Sequence, residues 1–148
     1  MVIKKLLVGP TKEEAWDNIK NMNPQDMLIS SVKNGILDGV KLSIDEGANI
    51  HHDSGFLLRF AASSGSLEVF NYLIGKGLED YIREFNYVIL KSAVEGGNLD
   101  IVKYLIEKST NNGISDQFQQ MLRIAEMGKH KDIEEYLINY KNDNYMKW

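Results

Sequence analysis

Three consecutive side chains, His51, His52 and Asp53, form the densest cluster of possible metal ligands in the sequence. Imidazole nitrogens and carboxylate oxygens are groups that Zn²⁺ and similar cations accept. Adjacent side chains point away from one another, however, and the third histidine, His130, lies far along the chain. The pattern therefore favours polar residues of an exposed loop, and we predict no metal site.

Paired carboxylates are the next candidates for chemistry, because two acids can act as general acid and general base. The pairs are Asp45–Glu46, Glu79–Asp80 and Glu134–Glu135, and all three fall at the ends or on the polar faces of predicted helices. The sequence contains neither a phosphate-binding G-x-x-x-x-G-K-[ST] segment nor a G-x-S-x-G nucleophile motif. We therefore predict no catalytic residue, no cofactor and no enzyme activity.

The composition is that of a soluble globular domain, with 148 residues, 43% apolar content and a net charge of −4. This acidic balance argues against a nucleic-acid partner, which would require a basic surface. No stretch approaches the roughly 20 apolar residues of a membrane-spanning helix, and the N-terminal apolar run is too short for a signal peptide. The absence of cysteine excludes disulfides and is consistent with a reducing, intracellular compartment.

The chain repeats itself when it is aligned on its glycines. Gly35, Gly65 and Gly97 fall at the same place in the segments NGILDGVKLSIDEGA, SGSLEVFNYLIGKGL and GGNLDIVKYLIEKST. A fourth copy, GKHKDIEEYLINY, follows in register, so that the spacings are 30, 32 and 32 residues. In this last copy Lys129 aligns with the glycines and Gly128 precedes it, which means that the glycine is displaced or lost.

The segment before each anchor also repeats, as DMLISSVKN, FLLRFAASS, VILKSAVEG and QMLRIAEMG. Apolar residues recur at three-to-four spacing in both halves, which predicts two amphipathic helices per repeat. Three residues after an aligned leucine comes a small residue in every copy, namely Ser31, Ala61, Ala93 and Ala125. We expect these small residues to let neighbouring first helices approach closely, and the glycine to make the turn between helices.

These features resemble the ankyrin repeat, whose pattern runs approximately TPLHxAAxxGHxxVVxxLLxxGA over about 33 residues. The best match is FLLRFAASSGSLEVFNYLIGKGL, and the resemblance covers residues 24–140. The Thr-Pro opening is missing and is replaced by Phe56–Leu57 and Val88–Ile89 in the middle copies. The resemblance implies an all-α solenoid of about four helix-turn-helix repeats with an N-terminal capping helix.

The predicted organisation follows from this alignment: an arm and capping helix (1–22), three repeats (23–54, 55–84 and 85–116), and a divergent C-terminal capping repeat with a tail (117–148). Thr11 with Glu14 forms a capping-box signature for a helix ending near Met22. Asn23 and Pro24 are typical of the start of the next helix. The segment MVIKKLLV fits a strand or a loose arm, and the C-terminal Trp148 either frays or folds back as a cap.

One repeat position carries a positive charge in three successive copies, at Arg59, Lys91 and Arg123. Equal positions in a solenoid stack into a row, so these residues would line the face formed by the first helices. The row could bind the carboxylates of a partner protein. Alternatively, the side chains snorkel or hydrogen-bond to neighbouring loops, as the family's histidine does at this position.

The segments joining the repeats form a second candidate surface, because the resemblance implies partner binding through such fingers. His52 and Asp53 belong to the first of them, and residues 78–84 and 109–116 are predicted to be the next two loops. Tyr81, Ile82 and Arg83 combine residue types favoured at binding hot spots. The alternative is that Tyr81 and Ile82 pack on the next finger.

The resemblance implies a non-catalytic protein–protein interaction module, with an unknown protein partner, no nucleic acid and no membrane. We expect a monomer. The alternative is a structural, self-assembling subunit, which an imperfect end repeat would permit, and a small-ligand binder would require a deep pocket. Divergent units on an Asn-, Lys- and Ile-rich chain resemble those of giant viruses and intracellular bacteria, which implies a host protein as partner and the host cytoplasm as location.

Overall fold

The computed structural model describes residues 11–109 and 114–144, and the predictions for MVIKKLLV and Trp148 lie outside these residues. The described parts contain nine α-helices, and none of them is long and apolar enough to cross a membrane. The helices are α1 (Lys12–Ile19), α2 (Pro24–Lys33), α3 (Leu37–Asp45), α4 (Ser54–Ser64), α5 (Leu67–Leu73), α6 (Asp80–Glu95), α7 (Leu99–Lys108), α8 (Phe118–Met127) and α9 (Lys131–Asp143). A wide turn, Ile74–Leu78, and a short 3₁₀ turn, Ser115–Gln117, complete the fold.

The helices stack as four antiparallel pairs, which confirms the predicted all-α solenoid. The first helices α2, α4, α6 and α8 pack side by side in that order, and the second helices α3, α5, α7 and α9 form a parallel layer. The capping helix α1 packs on α2. The main contacts of each described pair are with its neighbours, as expected of a repeat protein.

The predicted small residues lie where neighbouring first helices meet. Ser31, Ala61, Ala93 and Ala125 are each fully buried. The leucine three positions earlier is also buried in the first three repeats, at Leu28, Leu58 and Leu90. In the fourth repeat the equivalent Leu122 is only half-buried, because no helix of the described residues packs beyond α8.

The turn between the two helices of a pair uses a left-handed backbone conformation in every repeat. The φ angle is +65° at Gly35, +79° at Gly65 and +72° at Gly97. In the fourth repeat Lys129 itself adopts φ +58° at this position, while Gly128 keeps an ordinary negative φ. The turn is therefore preserved without its glycine, and Lys129 is the one positive-φ residue other than glycine among the described residues.

The capping helix α1 begins at the predicted residue but ends earlier than predicted. The Oγ1 atom of Thr11 accepts a hydrogen bond from the backbone N–H of Glu14 at 3.2 Å. Helix α1 stops at Ile19 rather than Met22. The backbone must be extended at Asn23, because this residue precedes a proline and its side chain caps the N-terminus of α2.

The capping helix compensates for a missing side chain in the first repeat. Gly39 stands at the position where the later repeats bury Val69, Ile101 and Ile133. A Cβ atom at Gly39 would clash first with Oγ of Ser31 on α2 and would also lie 3.0 Å from Cζ3 of Trp16. The side chain of Ser31 and the indole of α1 together occupy the space that a β-branched residue fills in the later repeats.

The predicted loop 78–84 is wrong from Asp80 onward, because this segment is the first part of α6. Leu78 and Ile82 are buried at four-residue spacing, and the apolar stripe continues to Ile89. The helical period therefore runs unbroken into the segment that sequence analysis assigned to a finger. As a result α6 crosses the predicted repeat boundary between residues 84 and 85.

The end of the solenoid carries acidic residues at positions that are buried elsewhere. Glu126 aligns with Ala62 and Val94, and Glu134 aligns with Phe70 and Val102; the four apolar residues are all fully buried. Glu126 is exposed, whereas the side chain of Glu134 is only 14% exposed. Its Oε2 accepts a hydrogen bond from Nζ of Lys131 at 3.2 Å, and its Oε1 is buried without a partner among the described residues. A polar outer face is what a terminal repeat needs to end the stack.

We expect Lys129→Gly to raise the free energy of unfolding by about 1 kcal/mol, because glycine adopts positive φ without the Cβ clash of other residues. Chemical denaturation measures the effect. Lys129→Ala removes the same charge but keeps a Cβ atom, so it should give no such gain. An equal gain in both variants would show that charge, not backbone conformation, is responsible.

Replacing both Glu126 and Glu134 by valine should cause concentration-dependent self-association, because the end repeat would then present the apolar face of an internal one. Sedimentation velocity over a range of concentrations measures the mass. The unmodified chain and the exposed control Glu135→Val should stay monomeric. Self-association of the unmodified chain would contradict the capping role of these glutamates.

Candidate partner-binding groove

The predicted cationic row lies on one face of the stack. Arg59, Lys91 and Arg123 occupy α4, α6 and α8, which pack side by side, so their equal repeat positions follow one another across the layer. Arg59 and Arg123 are exposed, and Lys91 is half-buried. The three side chains stand opposite the buried small residues, so packing directs them away from the core.

The charged groups of this row make few ion pairs within the protein. Nζ of Lys91 lies 3.6 Å from Oε1 of Glu95 one helical turn along, and both side chains are about half exposed. Such a solvated pair contributes little and can exchange. Within residues 11–109 and 114–144, Arg59 and Arg123 form no ion pair, and none of the three donates to a neighbouring loop. The alternative of loop-tethered side chains therefore has no support in the described part.

A cleft of about 480 Å³ lies at one end of the row, between the first finger and helices α4 and α6. Four of the residues proposed from sequence line this cleft together: His52, Asp53, Arg59 and Tyr81. They come from two successive repeats and are brought together by the packing of α4 on α6. The finger surface and the row are thus parts of one groove.

Ring contacts and a hydrogen bond set the wall of this cleft. The rings of His51 and Tyr81 are tilted with centroids 6.2 Å apart, and Nδ1 of His52 lies 3.0 Å from Oδ2 of Asp53. The two histidines thus face different partners, as expected of adjacent side chains. No group of three or more His, Cys, Asp or Glu residues in the described parts of the chain is arranged to hold a metal ion.

Two exposed apolar residues of the groove escaped sequence reasoning. Phe56 and Val88 line the cleft with 56% and 41% of their surface exposed. They stand where the family pattern has its Thr-Pro opening, and sequence analysis treated them only as departures from that pattern. The available signal was their spacing, since each precedes a residue of the cationic row by three positions and so shares its helix face.

Two other candidates lie elsewhere. Ile82 is 3% exposed and packs in the core, so it cannot contact a partner. Arg83 borders a separate hollow of about 640 Å³ between α6 and the end of α7, together with Tyr87 and Lys108. In that hollow the hydroxyl of Tyr87 donates to Oε1 of Gln120 at 2.6 Å.

An ion pair anchors the start of the helix that carries Tyr81 and Val88. Nζ of Lys108, the last residue of α7, donates to Oε1 of Glu79 at 2.9 Å. This hydrogen bond and the positive charge hold the pKa of Glu79 below its usual range and raise the pKa of Lys108. Burial, and then the charge of Glu79, raise the pKa of Tyr104 beside them.

We expect Lys108→Met to raise the pKa of Glu79 toward its ordinary value, which carbon NMR of the side-chain carboxyl can follow during titration. Because the folded pKa of Glu79 is lowered, the pair stabilises the fold above the unfolded pKa and loses its effect as pH falls through the folded pKa. The effect on stability should be small, since both groups are exposed. Lys131→Met, remote from Glu79, should leave this pKa unchanged, and an unaltered pKa in Lys108→Met would contradict the pairing.

Comparison with known proteins agrees with the geometry. A search of curated protein sequences gave no significant match to the chain. A family model described as ankyrin repeats (3 copies) matches residues 58–147, which is more than half of the chain. The match begins within α4 and covers α5 to α9, whereas the first finger and Phe56 lie before it. The stacked pairs, the left-handed turns and this match show that the chain belongs to the ankyrin repeat family.

Proposed function

We propose that this chain is a non-catalytic protein–protein interaction module that binds its partner along the face of the first helices and the adjoining first finger. Ankyrin repeats are generally protein–protein interaction modules and are typically not enzymes. The proposed contact surface consists of the cationic row with the cleft residues His52, Asp53, Phe56, Tyr81 and Val88.

The observation that carries this proposal is the exposure of Phe56 and Val88 beside Arg59 in one cleft. An isolated exposed apolar residue needs no explanation, but two neighbouring ones rimmed by polar groups are typical of an interaction site. Tyr81 and Arg59 add the residue types that most often dominate binding energy. The cleft therefore offers an apolar centre with a polar rim, which is the usual anatomy of a protein interface.

The alternative of a self-assembling structural subunit would use the ends of the stack instead of the groove. Ile138 is 46% exposed at the outer end, where the equivalent Ile106 is buried. Glu126 and Glu134 beside it oppose the stacking of a second copy, because an apolar neighbour would strip water from their charges. We therefore favour a monomer. The absence of cysteine supports an intracellular location for it.

Reversing the row, with Arg59, Lys91 and Arg123 all changed to Glu, should weaken partner capture at least tenfold, since three favourable charges become repulsive. A tagged pull-down from cells of the natural source, followed by titration of the captured protein, measures the loss. The matched control changes Lys41, Lys76 and Lys103 to Glu. Lys41 and Lys103 lie on second helices and Lys76 lies in the turn after α5, so the control alters the net charge equally outside the row.

Circular dichroism must show that both triple variants remain folded. We call the variant with Arg59, Lys91 and Arg123 changed to Glu the row variant. Partner capture by the control but not by the row variant would support the groove as the binding site. Equal capture by both variants would move the site off the first helices, and equal loss in both would reduce the effect to net charge.

A further inference from the structure

Two parallel rows run across the exposed face of the first helices. One consists of Phe56, Val88 and Gln120, and the other is the cationic row, which lies three residues further along each helix. Resting on the proposed function, we propose that this double row binds an extended acidic segment of the partner protein. Carboxylates at every third residue of that segment would meet the cationic row, and an apolar side chain between them would enter the cleft.

The spacing of the rows selects this kind of segment. Packed neighbouring helices lie about 8–10 Å apart, which sets the interval between successive members of the cationic row. A polyproline II segment has three residues per turn and rises about 3.1 Å per residue, so every third side chain returns to the same face after about 9 Å. A β-strand turns every third side chain to the opposite face. An α-helix would need carboxylates seven residues apart.

The unpaired positive groups of the cationic row support the carboxylates of the segment. In the described residues Arg59 and Arg123 have no acidic partner, and Lys91 has only its solvated contact with Glu95. A carboxylate of the segment would give each guanidinium a bidentate partner, the geometry in which Arg binds most strongly.

The surrounding acidic groups fix the register of the segment. Asp53 and Glu84 line the cleft on one side of the row. Glu95 and Glu126 follow Lys91 and Arg123 along their helices on the other side. Carboxylates out of register with the row would meet these negative charges, and such like-charge contacts give specificity by repulsion. The groove thus distinguishes segments of equal charge by the placement of that charge.

The cleft would hold the apolar side chain of the partner segment. Phe56 and Val88 expose their surfaces into about 480 Å³, beside the ring of Tyr81. An α-helix with its side chains is about 10–12 Å across, so a single turn would fill the whole cleft. One apolar side chain with its extended backbone fits without displacing the finger. An apolar anchor flanked by acidic residues is therefore the complement of this surface.

Panning a display library of random twelve-residue peptides on the folded protein tests the proposal. The selected peptides should be enriched in Asp or Glu at three-residue spacing, with Leu, Ile, Val or an aromatic residue between them. They should bind the row variant at least tenfold more weakly, and the double variant Phe56→Ser, Val88→Ser should also lose most of the binding. The control with Lys41, Lys76 and Lys103 changed to Glu should bind like the unmodified protein.

Fluorescence anisotropy then compares a fixed peptide, EPLEPLE, with its scrambled form PLEEEPL, which has the same composition. We expect at least tenfold preference for EPLEPLE, and weaker binding in high salt, since the Debye length falls from about 10 Å at 0.1 M to about 3 Å at 1 M. Equal affinity for the two peptides would overturn the register, and selected peptides with acidic residues seven apart would overturn the extended conformation.

Selected peptides without acidic residues, or no selected peptide at all, would overturn the partner chemistry. The groove itself is judged separately by the capture experiment with the row variant. Loss of partner capture in that variant, together with failure of the acidic peptides, would keep the proposed function and reject only this inference. Equal capture by the row variant would reject the site for both.

Discussion

Close contact between neighbouring first helices is the constraint on which the rest of the structure depends. It is made possible by a small residue at the same position of all four repeats, from Ser31 to Ala125, each fully buried. The ends of α4 and α6 meet as tightly, because a Cβ atom at Gly96 would lie 2.5 Å from the carbonyl oxygen of Ser63. Larger side chains at these points would separate the helices and open the core.

This contact also determines the geometry of the candidate site. The interval between Arg59, Lys91 and Arg123 is the interval between packed helices, so the core sets the spacing of the surface charges. The cleft likewise exists only because Phe56 of one repeat lies beside Val88 of the next. A groove built in this way is rigid and preorganised, which lowers the entropic cost of binding a partner.

The two terminal helix pairs of the stack carry different types of residue on their outer faces. At the N-terminal end Trp16 of α1 and Ser31 of α2 together fill the space beside Gly39. At the C-terminal end the glutamates of the last pair replace the apolar residues of internal repeats. Helix α1 packs on the first pair, and one of the two glutamates of the last pair, Glu126, is exposed.

Features that depend on local periodicity could be predicted from the amino-acid sequence. The register of the repeats, the buried small residues, the left-handed turns and the caps at Thr11 and Asn23 were all readable, because each depends on residue type at a fixed spacing. The alignment of Arg59, Lys91 and Arg123 was readable for the same reason. A repeat of known period converts sequence distance into spatial position.

Which side chains remain exposed could not be predicted in this way, because exposure depends on how the neighbouring repeat packs. Tyr81 and Ile82 are adjacent in sequence, yet Tyr81 lines the cleft while Ile82 is buried in the core. The helical start of α6 follows from that burial, which extends the apolar stripe into a segment predicted to be a loop. Phe56 and Val88 look like core residues by type, but they are 56% and 41% exposed, because no helix of the described residues covers their face.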